Sequence, residues 1–192
     1  MLALLFSVLV TGALHEDGLA DFSDGLGVAD RARALEVMRD SRSGSFGVLA
    51  LIFSVGLKAI GLSALFSADN FSPFAAVLLL AALHGAARAA MAAMMIFPLA
   101  RVDGLAAAAR TGAGNGERFA PLAAVLIGLG LGFLLVGFML GGLFLMASLC
   151  GAALAAWIAF HRLGGMTGDV YGAGEQLAEI FIILSLVSFY SA

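Results

Sequence analysis

The chain has 192 residues, of which 62% are hydrophobic and only 12% charged, with a formal net charge of −3. Soluble domains carry roughly 45–50% apolar and about 25% charged residues, so a water-soluble fold is excluded and an integral membrane protein is expected. The mild negative charge leaves no basic footprint for a nucleic acid. The single cysteine, Cys150, rules out an intramolecular disulfide and a cysteine-based metal site.

In chain order, Met1–Leu14 is apolar but too short to cross a bilayer comfortably, and it lacks the basic start of a signal peptide. It reads as a partial first span. The polar stretch "LHEDGLADFSDG" follows. Hydrophobic runs at Phe46–Phe66, Pro73–Ala100, Phe119–Leu140, Leu143–Phe160 and Leu177–Ala192 then predict five full spans. Gly141-Gly142 is expected to form the tight turn between the third and fourth. The "GLGLG" at Gly128–Gly132 suits close helix packing in lipid; no strand precedes it, so it is no dinucleotide fingerprint. The expected fold is an all-α polytopic bundle, one integral-membrane catalytic domain over residues 1–192.

Eight of the ten Lys and Arg residues fall in three connections: Arg31, Arg33, Arg39 and Arg42; Arg101, Arg110 and Arg118; and Arg162. With one crossing per run, all three lie on the same side, and the positive-inside rule makes that side cytoplasmic. The spans hold Lys58, His84 and Arg88, while Glu179 sits at the start of the last one. Asp69 is the only acid placed on the far side.

Asp17, Asp21 and Asp24 are spaced i, i+4, i+7 and share one helix face. Carboxylates so placed repel unless a cation sits among them, and oxygen-only ligands favour Mg²⁺, Mn²⁺ or Ca²⁺ over zinc. "RDSRSGSFG", Arg39 to Gly47, combines Asp40 and Arg42 with small residues before a helix start, a setting that suits an anion. "GGMTGDVYGAGEQLAE", Gly164 to Glu179, adds Thr167, Gly168, Asp169, Glu175 and Glu179 in a glycine-rich connection. Lys58 and Arg88 are too deep to snorkel easily and are expected to face a polar cavity, with His84 one turn from Arg88. "RTGAGNGER", Arg110 to Arg118, lacks the P-loop lysine and reads as a linker. Carboxylates for a metal and cations for phosphate, all near one membrane face, point to a membrane-embedded, metal-dependent phosphotransferase.

"GALHEDGLADFSDGL", "LEVMRDSRSGSFGVLAL" and "LGGMTGDVYGAGEQLAE" resemble, in order and spacing, the blocks of bacterial cobalamin synthase, adenosylcobinamide-GDP ribazoletransferase; "ARVDGL" at Ala100–Leu105 agrees. The resemblance implies transfer between adenosylcobinamide-GDP and α-ribazole, or its 5′-phosphate, with loss of GMP. It further implies Mg²⁺ as cofactor, a multi-pass place in the bacterial inner membrane with the lipid bilayer as partner, and room for a homo-oligomer. By the same resemblance Asp17, Asp21, Asp24 and Asp169 hold the metal. Asp40, Arg42, Lys58, Arg88, Thr167 and Gly168 meet the substrate phosphates. An aspartate of the first motif or His15 is the base, and the first three aspartates count as catalytic. The four metal aspartates are expected within metal-bridging distance of one another. Family members begin some tens of residues earlier, so this chain reads as shortened, and Glu16 replaces a more usual apolar residue.

The alternatives are a CDP-alcohol-type phosphotransferase, a divalent-cation transporter and a catalytically inactive scaffold subunit. The first expects arginine where Asp21 follows Ala20. The second expects acids spread through the spans.

Overall fold

A computed structural model of the chain describes residues 1–40, 42–66, 71–101, 103, 107 and 120–191. Ser41, Asp69 and the expected linker Arg110–Arg118 lie outside them. The helices are α1 (Leu2–Thr11), α2 (Leu14–Leu26), α3 (Arg31–Val37), α4 (Ser45–Phe66), α5 (Pro73–Met94), α6 (Ala120–Leu163) and α7 (Gly168–Ser191). The only β feature among the described residues is an isolated parallel bridge between Leu99 and Met166.

Local chemistry sets the boundaries. α1 stops where Gly12 and Ala13 both take left-handed backbone angles, φ 62° and φ 60°, and α2 leaves at 85° to it. Asp30 caps α3 by accepting the Arg33 N–H at 2.8 Å, and Ser72 caps α5 ahead of Pro73. α5 ends at Met94 rather than Ala100. Pro98 disfavours helix at the preceding residue, and the next segment turns to pair with Met166.

Four segments, Ser45–Phe66, Pro73–Met94, Gly132–Leu163 and Gly168–Ser191, are long and apolar enough to cross a membrane, and the bent pair α1–α2 would make a fifth. The expected turn at Gly141-Gly142 is displaced. α6 carries its non-helical residue at Gly137, φ 82° and ψ 173°. A Cβ on Gly141 would lie 3.0 Å from the Phe133 Cα. Eight residues of straight helix span about 12 Å, so the chain reverses there. Of the nearby glycines, Gly137 alone takes the positive φ that a reversal demands.

α7 is the central element: 72% of its most apolar window is buried, against 22–39% for the other three spans. It begins at Gly168, nine residues before the expected Leu177. Glu175, Gln176 and Glu179 are polar because they face protein rather than lipid, which lowers the hydropathy of a helix that is mostly inside. Two apolar clusters pack against it. One holds Leu19, Phe22, Met94, Leu163 and Met166; the other holds Leu62, Leu65, Leu83, Phe144 and Ile183.

Helix α2 crosses the first turns of α7 glycine to glycine. A Cβ on Gly18 would sit 2.9 Å from the Asp169 carbonyl oxygen and 3.2 Å from the Gly172 Cα. Gly18→Ala is therefore expected to lower stability by about 1–3 kcal/mol through overpacking against backbone. Gly56→Ala, where a Cβ meets nothing within 4 Å, should be neutral or slightly stabilising. Thermal unfolding in detergent measures both.

Candidate active site

The Gly18–Gly172 crossing lays the aspartate face of α2 against the start of α7. Asp17 is exposed and Asp21 half-buried, and the charges of Asp17, Asp169, Asp24 and Arg101 all act on Asp21. Asp169, in the first turn of α7, accepts the Thr167 hydroxyl at 3.1 Å and the Arg101 guanidinium at 3.2 Å, both on Oδ2. The Thr167 hydroxyl in turn accepts the Val170 N–H at 3.3 Å, capping α7. Gly168 opens that helix with free space on its Cα.

Asp24 is turned to another task. Its Oδ2 accepts the Gly44 N–H at 2.7 Å and its Oδ1 the Gly47 N–H at 2.8 Å. It thus caps the N-terminus of α4 from a different helix, satisfying donors that the helix itself leaves open. The aspartates do not close to the metal-bridging distance expected from the sequence. The group of three His, Cys, Asp or Glu side chains found with ligand atoms within 4.8 Å among the described residues is His84, Glu175 and Glu179. Asp17, Asp21 and Asp169 form a wider arc. Such an arc suits a cation that keeps several waters, as Mg²⁺ does when carboxylates and substrate phosphates share its shell.

Asp40 and Arg42 form a pair of their own on the connection before α4. Arg42 donates to Asp40 through Nε at 3.0 Å and through its terminal nitrogen at 2.6 Å. The pairing holds the Asp40 carboxyl down at about 2. The guanidinium fork is occupied, and the Arg42 side chain is 87% exposed.

His15, Lys58 and Arg88 lie in a second cluster, deeper along α7. Lys58 Nζ donates to Glu179 Oε2 at 3.0 Å and to Gln176 Oε1 at 2.7 Å, with Glu16 at 4.0 Å. His84 bonds the other Glu179 oxygen through Nδ1. Arg88 pairs with Glu175 at 3.1 Å and lies 3.8 Å from Glu179, while His15 Nδ1 is 3.6 Å from Glu175. Gln176 donates to Glu16 at 3.2 Å and to Glu175 at 3.0 Å. Arg88 and His84 also line a largely apolar cavity of about 490 Å³ against α1. The polar cavity expected for Lys58 is thus filled by protein carboxylates.

The sequence reading took Glu175 and Glu179 as loop ligands and gave Glu16 and Arg101 no role. A usable signal existed: Glu175–Glu179 and His84–Arg88 are both i, i+4 pairs, matched in length across two helices. Acids are present within the spans. Two sit inside α7, but cations oppose them, so the helices present no row of unanswered carboxylates.

The sequence profile described as Cobalamin-5-phosphate synthase matches residues 1–187. The chain belongs to this family. It is 45% identical to an adenosylcobinamide-GDP ribazoletransferase of Bradyrhizobium diazoefficiens, over 98% of this chain and 70% of that protein. Similarity is comparable to the proteins of the same name from Azorhizobium caulinodans, 44% over 97% and 70%, and Allorhizobium ampelinum, 40% over 96% and 71%. No solved structure matches. The family resemblance read from three motifs therefore holds along the chain.

For this cobalamin-5-phosphate synthase family member, the buried cluster predicts stability effects. Lys58→Met leaves Glu179 and Glu16 without their common cation and should cost about 3–5 kcal/mol. Adding Glu179→Gln should return about 1 kcal/mol or more, because the two changes share one ion pair. Denaturation of the two variants in detergent gives both numbers.

Proposed function

We propose that the arc of Asp17, Asp21 and Asp169 is the active site of an adenosylcobinamide-GDP ribazoletransferase. The reaction joins α-ribazole, or its 5′-phosphate, to adenosylcobinamide-GDP and releases GMP, in the last assembly step of vitamin B12 synthesis. The observation that carries this reading is three carboxylates of two helices turned to one accessible face, with a single arginine among them.

The donor set is all oxygen and carries more negative charge than Arg101 balances, which fits a hard divalent cation. Asp17, Asp21 and Asp169 would hold Mg²⁺, which when bound neutralises charge on the phosphates. In the transfer, a ribose hydroxyl oxygen of α-ribazole forms the new bond to the cobinamide-linked phosphorus. The phosphorus–oxygen bond to GMP breaks, and GMP leaves with the electron pair. The hydroxyl proton passes to a carboxylate of α2. His15 Nδ1 lies 3.6 Å from Glu175, which assigns it to the buried cluster rather than to this proton transfer. Asp24 supports the site by fixing α4 against α2. Lys58 and Arg88 act as partners of the α7 glutamates, and any pull they exert on a diphosphate is at a distance.

The arginine-bearing connections support a cytoplasmic orientation of this face at the inner membrane. Ser43→Cys and Ser72→Cys, each in a Cys150→Ser background, test the orientation. An impermeant maleimide should label the first only in inverted vesicles and the second only in right-side-out ones.

The reaction is tested with the purified 192-residue chain in detergent, given adenosylcobinamide-GDP, α-ribazole and Mg²⁺. Cobalamin and GMP should appear in equal amounts, and chelation should stop both. Asp21→Asn and Asp169→Asn should each lower turnover about 100-fold or more, the scale of removing charge stabilisation from a transition state. A folded chain that forms no cobalamin, or aspartate variants that turn over like the parent, would refute the assignment.

A further inference from the structure

We propose that Arg101 is the residue that grips the substrate diphosphate. This rests on the assignment above and departs from the sequence reading, which gave that task to Arg42, Lys58 and Arg88.

Each of those three is committed elsewhere. Arg42 wraps Asp40 on an exposed connection. Lys58 is 3% exposed and holds Gln176 and Glu179. Arg88 holds Glu175 and the His84 carbonyl. Of the other described arginines, Arg39 pairs with Asp103, Arg33 with Glu36, Arg162 donates to the Leu26 and Val28 carbonyls, and the Arg31 guanidinium lies over Gly164; Arg110 and Arg118 fall outside the described residues. Arg101 is the cation that touches an aspartate of the arc, through one terminal nitrogen on Asp169 at 3.2 Å.

Its other terminal nitrogen is buried and has no hydrogen-bond partner among the described residues. Asp103 lies 4.0 Å from Nε, too far for a hydrogen bond. A guanidinium offers five donors in a rigid fork, and an unanswered buried donor is rare enough to call for a partner. A phosphate oxygen is a fitting one, because the fork matches phosphate as it matches carboxylate.

The backbone carrying Arg101 is fixed to the same loop that carries Asp169. The Ala100 N–H donates to the Met166 carbonyl at 2.8 Å, and the Met166 N–H donates to the Pro98 carbonyl at 2.9 Å. A Cβ on Gly165 would come within 2.7 Å of the Ala100 nitrogen, so only glycine lets the two segments approach this closely. This short parallel pairing brings one cation and one carboxylate to one place from residues sixty-eight apart in sequence. In this arrangement Asp169 orients the guanidinium and the vacant donor meets the diphosphate.

Binding and turnover are measured separately on the full chain in detergent. Arg101→Ala and Arg101→Gln should each weaken adenosylcobinamide-GDP binding about 10- to 100-fold, the range for losing a charge-assisted hydrogen bond. α-Ribazole binding should stay within about twofold of the parent, which also reports an intact fold. Glutamine keeps the aliphatic stem and a polar end without the charge, so it carries the test if the alanine variant fails to fold. In turnover the KM for adenosylcobinamide-GDP should rise by the same factor while that for α-ribazole does not. Parent-like binding of adenosylcobinamide-GDP by Arg101→Gln overturns the role of Arg101 and leaves the assigned reaction standing. A parent chain that binds both substrates but forms no product overturns the assigned reaction, with the binding difference still supporting Arg101.

Discussion

Two glutamates one turn apart on α7 are buried where only protein can answer their charge, and the bundle is arranged around that necessity. An ionised carboxylate in a low-dielectric interior is unfavourable unless it is paired and hydrogen-bonded. Glu175 and Glu179 are therefore met from three directions: Lys58 on α4, His84 and Arg88 on α5, and His15 on α2. Gln176 stands between them, accepting from Lys58 and Ser54 and donating to Glu16 and Glu175. These polar contacts tie α2, α4 and α5 to the central helix at defined heights. Apolar packing in lipid supplies no comparable register, because a lipid tail competes with any leucine. The layer holds three carboxylates against two fixed cations, so one further proton, on a histidine or a carboxylate, makes it neutral.

With the register set, the aspartate site follows from short contacts. Gly18 against Gly172 brings the α2 backbone to the α7 backbone, which places Asp17 and Asp21 beside Asp169. Asp24 then ties the far end of α2 to the start of α4 through two N–H groups. The capping bonds are worth about 1 kcal/mol each at a helix terminus. Here they also fix the direction in which the other two aspartates point. One helix of thirteen residues thus carries a layer residue, two arc residues and a cap on successive turns.

Much of this was legible in the sequence, for physical reasons. Spans announce themselves because every residue facing lipid must be apolar, and Phe46–Phe66 differs by a single residue from the helix observed. The i, i+4, i+7 aspartates announced a shared face. The failures share one cause. A hydropathy pattern cannot tell a polar residue facing water from one facing a partner inside the bundle, so the first half of α7 read as a loop. Nor can it tell which of several glycines turns the chain, since Gly137 and Gly141 differ only in backbone angle. Pair identities are tertiary facts: nothing local assigns Lys58 to Glu179 across 121 residues, or Arg101 to Asp169 across 68.

The two acid clusters separate by how their charge is answered. In the layer, every carboxylate has a protein cation within 4.0 Å, although the buried Glu16 Oε2 accepts no hydrogen bond among the described residues. In the arc, Asp17, Asp21 and Asp169 share a single arginine, and Asp17 opens to solvent. Like charges gathered with one arginine among them are unfavourable, and on the proposed function a divalent cation would relieve them. A diphosphate substrate is anionic as well. The same divalent cation would therefore offset two anionic groups, the arc and the diphosphate, that otherwise repel.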